Sequence, residues 1–221
     1  MLTNYKERLE QINKMVEDVA QKVLRAHQVS LKSFIEKDSG GFDAVIDLIK
    51  TIDDEAREID NEIVRAIALF GPEASHLREL IAYIKLTNEI VRVGDYAKTY
   101  AKNISAHLRN ETSFSKIDSY IVQLHEASIE ALKSSLEMLK APEERSEDLF
   151  RKTLVEESKT DDIFKLFEKE LLGNLCKDTL KIPDFLNILS TCRKLERAAD
   201  RAVEIAKLLM FAKKGGKLEN F

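Results

Sequence analysis

The chain has 221 residues, 44% apolar and 33% charged, with 35 Lys and Arg against 39 Asp and Glu for a net charge of −4. That is enough apolar material for a sizeable core and excludes a disordered or collagen-like chain, while cations interleaved with acids exclude nucleic acid as the expected partner. Three prolines and seven glycines, in a background rich in Ala, Leu, Glu, Lys and Arg, predict an all-α protein of long helices.

Taken in chain order, six long helices are expected, each ended by a turn-forming stretch. The first covers 3–37 and stops at "DSGGF"; the second covers 42–69 and stops at "FGPE". The third covers 72–109, with Pro72 near its first turn, and stops at "RNETSFS". The fourth covers 114–140 up to "KAPEE", the fifth 143–172 up to "LGNLCKDTLKIPD", and the sixth 183–213, from Pro183 to "KKGG". Segments near 30 residues are about 45 Å long at the α-helical rise, which suits an antiparallel bundle joined by short turns. The N-terminus is charged from Lys6, so no signal-peptide core is expected, and no run approaches the ~18 apolar residues of a spanning helix. Cys176 and Cys192 form neither a disulfide framework nor a metal motif. A cytoplasmic chain, peripheral to a membrane complex at most, is the expectation.

The helices repeat. "TIDDEAREIDNEI" (51–63) lies over "KTDDIFKLFEKEL" (159–171), pairing Asp53 with Asp161 and Ile63 with Leu171. "EIVRVGDYAKTYAKNI" (89–104) lies over "KLERAADRAVEIAKLL" (194–209), pairing Arg92 with Arg197 and Asp95 with Asp200. The two offsets, 108 and 105, agree to within three residues, so the expected architecture is two tandem three-helix bundles, residues 1–110 and 111–221.

Within the second repeat the form E-x-x-x-D occurs twice, as Glu157 with Asp161 and as Glu196 with Asp200. Residues four apart share a helix face, and like charges at that spacing repel by a few tenths of a kcal/mol. The stripe Leu195, Ala199, Ala202, Ala206 and Leu209 faces the core, with Glu196 and Asp200 on its shoulder. Two readings stand. The four carboxylates converge on a hard cation such as Mg²⁺ or Mn²⁺, or on iron; or they are a solvated face ion-paired to Arg197, Lys159 or Arg193. Glu73 and His76 make a single E-x-x-H, but a di-iron bundle enzyme needs two. Phosphate-binding glycine loops and nucleophile motifs do not occur, so no catalytic residues are assigned.

These motifs resemble the PhoU family of phosphate-uptake regulators over essentially the whole chain. "LERAADRAVEIA" is similar to the family's E-R-x-x-D helix and "ESKTDDIF" (157–164) to the E-x-x-x-D and aromatic of the preceding helix. "VRVGDYAKTYAKNI" (91–104) resembles the same motif in the first repeat, and "GPEASHLRELIAYIK" (71–85) the P-x-A-x-D-L-R stretch before it. The resemblance implies divalent or trivalent metal ions (Fe, Mn or Mg) on Glu157, Asp161, Glu196 and Asp200. In the first repeat the glutamate positions hold Ile49 and Val91, leaving Asp53 and Asp95 as weaker ligands, and His76 stands where the family has an aspartate. It also implies a non-enzymatic cytoplasmic homodimer that links the ATPase of a phosphate ABC transporter to a sensor histidine kinase. An accessory protein of an ion-driven phosphate transporter and a metal-dependent bundle enzyme are the alternatives.

Overall fold

A computed structural model describes residues 2–109, 115–175 and 182–215. They form seven α-helices and no strand: α1 Leu2–Glu36, α2 Ser39–Ile49, α3 Ile52–Phe70, α4 Ala74–Arg109, α5 Ser115–Glu137, α6 Glu143–Leu175 and α7 Ile182–Lys214. The helix expected over 42–69 is therefore two helices. The residues at its break explain the correction. Thr51 accepts backbone hydrogen bonds from Asp54 and Glu55 at 3.1 and 3.0 Å, and Asp53, Asp54 and Glu55 fill the first turn of α3. Acids favour a helix N-terminus, where they complement its dipole, so this stretch starts a helix although the apolar period runs through it.

Other ends have local causes as well. At the end of α1, Lys37 takes a left-handed φ of 55°, Asp38 N–H donates to the Ser33 carbonyl at 2.9 Å, and Lys37 N–H donates to that of Phe34 at 3.3 Å. That is a Schellman closure with lysine where glycine is usual. The Asp38 side chain then caps α2 by accepting from Gly40 N–H at 3.0 Å. Gly71, at φ 51°, ends α3, its N–H donating to the Ile67 carbonyl at 3.1 Å.

Helices α1 to α4 pack among themselves, as do α5 to α7. The expected boundary between 110 and 111 falls on residues outside the described ones, as does Cys176. Between the two units α4 lies along α7, the most extensive helix contact among the described residues, and α1 lies beside α5. A continuous core runs through both units, with Tyr100, Phe42 and Phe167 among its largest fully buried side chains. Burial of each such side chain is worth about 1.5–3 kcal/mol. Close approach also shapes the first unit: a Cβ on Gly94 of α4 would lie 2.3 Å from Ile52 Cδ1, so α3 starts directly against a glycine.

Candidate metal centre

Helix α7 buries Leu195, Ala199, Ala202, Ala206 and Leu209, as the sequence stripe predicts. This rotation leaves Glu196 and Asp200 half-buried at its edge, facing the half-buried Glu157 and Asp161 of α6. One oxygen from each of Glu157, Asp161 and Asp200 can be chosen so that all three lie within 4.8 Å of one another. Glu196 stands outside that group, but its charge is felt: it is raised by burial first and then by Asp200 and Asp161, against the pull of Arg193 and Arg197.

Two more carboxyls respond in the same direction. Glu157 is held above the usual carboxylate range by burial, then by Asp161 and Asp200. Asp200 is raised by burial and by Asp161, with Arg201 and Arg197 opposing. Each is the signature of an acid whose negative form is crowded and partly desolvated.

Of the cations expected to neutralise this face, Lys159 and Arg193 are engaged elsewhere, while the charge of Arg197 opposes the upward shifts of Glu196 and Asp200. Lys159 lies 3.3 Å from Glu156, and Arg193 lies 3.6 Å from Glu168 with its guanidinium over the Phe164 ring. Arg201 reaches Glu89 of α4 at 3.2 Å. Among the described residues none of the four acids has an ion-pair partner within 4 Å. An all-oxygen donor set with three convergent carboxylates fits a hard cation by its chemistry.

The first repeat places its counterparts differently. Ile49 is buried and Val91 half-buried, while Asp53 and Asp95 are exposed. Asp53 sits in the first turn of α3. His76 is exposed in the first turn of α4 and meets the Tyr5 ring edge-on at 5.3 Å.

The motifs say nothing of a second polar cluster, where α1, α4 and α5 meet. His27 and His125 are fully buried with ring centroids 5.7 Å apart, and Tyr100 meets His125 at 4.9 Å. The recurrence of H-x-x-S, "HQVS" at 27–30 and "HEAS" at 125–128, on the first helix of each unit is the signal that could have found it.

The PhoU domain profile matches residues 16–104 and 121–209, spans set apart by 105 residues, one of the two offsets, 108 and 105, read from the internal repeat. The phosphate-specific transport system accessory protein PhoU homolog 1 of Methanothermobacter thermautotrophicus is 27% identical over 215 residues, covering 94% of this chain and 93% of its own. The protein named as the PhoU homolog of Pseudomonas aeruginosa is 29% identical over 218 residues, covering 93% of this chain and 86% of its own. The crystal structure of PhoU from Pseudomonas aeruginosa covers 96% of this chain and all (100%) of that one with a TM-score of 0.79 at 25% identity. That of the phosphate transport system regulatory protein PhoU from Streptococcus pneumoniae gives 0.82 at 22% identity, covering 98% and 100%, a likeness of fold. With two tandem matches that together take in most of its length, this chain belongs to the PhoU family.

Proposed function

We propose that this chain is a non-enzymatic regulator of phosphate uptake, an accessory to a phosphate-specific transport system that links the transporter's ATPase to a sensor histidine kinase. The observation that carries the reading is the double PhoU match together with two relatives of that name aligned over 94% and 93% of the chain. No helix among the described residues is long and apolar enough to cross a membrane, so contact with the transporter is through a surface. An all-helical body with many charged side chains suits such contact. The chain acts in the cytoplasm, where both partners present their soluble parts, and works as a homodimer.

The reading includes a metal ion, Fe, Mn or Mg, held by Glu157, Asp161 and Asp200 with Glu196 alongside. When bound, the ion supplies positive charge that fixes α6 against α7. The chain's own contribution is to hold three partly desolvated carboxylates close together, an arrangement that is repulsive when metal-free and favourable when loaded. A ligand that binds only the folded state raises its stability.

The regulatory half is tested by deleting the gene in a strain carrying a phosphate-starvation reporter and by co-purification with the ATPase. Derepression in high phosphate and capture of the ATPase are expected; an unchanged reporter overturns the reading. The metal half is tested by elemental analysis and by melting with and without Mn²⁺, Mg²⁺ or Fe²⁺. A metal-dependent rise in Tm that Asp200→Asn abolishes is expected, and no rise in the wild type removes the metal from the account.

A further inference from the structure

The charged face of α7 continues past the acids already described. Glu204 follows Asp200 by four residues and Lys207 follows it by seven, so both return to the same side of the helix. Glu204 is half-buried, and its charge adds to the upward shift of Asp200. Lys207 Nζ donates to Glu204 Oε1 at 2.8 Å.

That pairing sets Lys207 apart from the neighbouring cations. Arg193 is drawn to Glu168, Arg201 to Glu89 of α4 and Lys165 to Asp162, acids that lie outside the carboxylate group. Arg197 is exposed, and no ion pair among the described residues fixes it to the face. The acid that holds Lys207 belongs to the face itself. Lys207 makes no direct pair with Glu157 of α6, yet it is the first of the cations that counter the rise of that carboxyl, ahead of Lys165.

A fixed positive charge beside a group of oxygen donors acts in two ways. It eases repulsion among the metal-free carboxylates, and it repels an arriving cation in proportion to that cation's charge. Anchoring is what makes the second effect count, because a free lysine on an exposed helix face swings its flexible stem into water.

We propose that Lys207 sets the selectivity of the carboxylate centre: held by Glu204, its ammonium lowers the affinity for every cation and disfavours trivalent ions more than divalent ones. The inference rests on the metal ion of the proposed function. It deepens that reading by naming a residue that donates no bond to the ion and still governs which ion is taken.

The test is calorimetric titration of the full chain with Mn²⁺ and with Tb³⁺, a trivalent probe that also prefers oxygen donors. Wild type is compared with Lys207→Gln, with Lys207→Arg and with Lys32→Gln, which removes the same charge from an exposed position on α1 of the other unit. Lys207→Gln should bind Mn²⁺ about tenfold and Tb³⁺ about thirtyfold more tightly, since the repulsion removed scales with ionic charge. Lys207→Arg keeps the charge and should keep wild-type values. Lys32→Gln should stay within about twofold of wild type for both ions, because solvent and salt screen a distant surface charge. Equal tightening for the two ions, tightening no greater than that of Lys32→Gln, or weaker binding of both ions overturns the role of Lys207 and leaves the metal reading standing. A wild type that binds neither ion removes the metal reading, and this inference with it.

Discussion

The second repeat places Glu157, Asp161, Glu196 and Asp200 at positions where the first places Ile49, Asp53, Val91 and Asp95, and the two solutions differ in what they do for the fold. In the first repeat Ile49 and Ile52 are 2% exposed each, Ile52 lies against Gly94, and the remaining aspartates point to solvent. In the second repeat the same region holds carboxylates whose negative forms are disfavoured. One half has converted the position into core; the other keeps an arrangement that weakens the metal-free fold. Groups retained against stability are the ones that function demands, as in many binding sites.

The comparison breaks if the first repeat proves indifferent to its apolar fill. Ile52→Ala removes a buried side chain from the start of α3 and should cost about 2–5 kcal/mol of unfolding free energy in denaturant titration. A loss below 1 kcal/mol, on the order of a surface change, would mean the position is not core.

Acidity separates the two halves next. Burial lowers the His27 pKa from 6.5 to about 4, outweighing the Val93 hydrogen bond. The unfolded chain binds the proton more readily in this window, so stability present above pH 6.5 is lost as the pH falls toward 4, on the order of 3 kcal/mol. His27→Gln, which keeps a donor for the Val93 carbonyl but does not titrate, should flatten that slope in melts taken from pH 7 to 4. His125, pushed down by burial and then by His27, acts in the same direction.

Glu157, Glu196 and Asp200 act in the opposite direction. Their pKa values lie above the ordinary 4.5 and 3.8 in the folded chain. The folded state therefore holds the protons longer, and the metal-free protein loses stability as the pH rises through that window. Asp200→Asn should raise the metal-free Tm at neutral pH by an amount worth about 1 kcal/mol, while removing the metal-dependent rise. A lower metal-free Tm would show that repulsion is not what the acids share.

The smallest effect is the sharpest discriminator. Asp53→Ala should cost only about 0.3–1 kcal/mol, the worth of a first-turn acid at a helix N-terminus, and leave the metal-dependent Tm rise untouched. An equal loss of metal response from Asp53→Ala and Asp200→Asn would erase the distinction between the repeats.

Much of this was legible in the residues. Glycine and proline punctuation marks the helix ends because those residues constrain the backbone locally, and the repeat offset survives because core spacing does. The split between α2 and α3 was hidden because Ile49, Ile52, Ala56 and Ile59 continue a helical stripe across it, while the competing signal, acids packed behind Thr51, is electrostatic. The E-x-x-x-D spacing finds all four acids, yet whether Glu196 joins the other three depends on the rotation of α7 against α6, which only packing decides. His27 and His125 have no glutamate three residues before them, so no ligand motif singles them out; that they end as buried core residues between helices is a tertiary outcome, foreshadowed only by their shared H-x-x-S.

The α4–α7 contact has a consequence for how the protein is made. Helix α4 ends at Arg109, and the helix that covers it ends at Lys214. Synthesis at 5–20 residues per second leaves a delay on the order of 5–20 s between the two. Through that interval the surface of α4 that α7 will cover leaves the ribosome with the first repeat alone to shield it. The last helix synthesised closes the core, its final turn held by Arg78, which donates to the Ala212 carbonyl at 3.4 Å, and by Lys213, which donates to the Ala141 carbonyl. A nascent chain arrested before Ile182 is thus an aggregation-prone client for a chaperone rather than a half-sized version of the finished molecule.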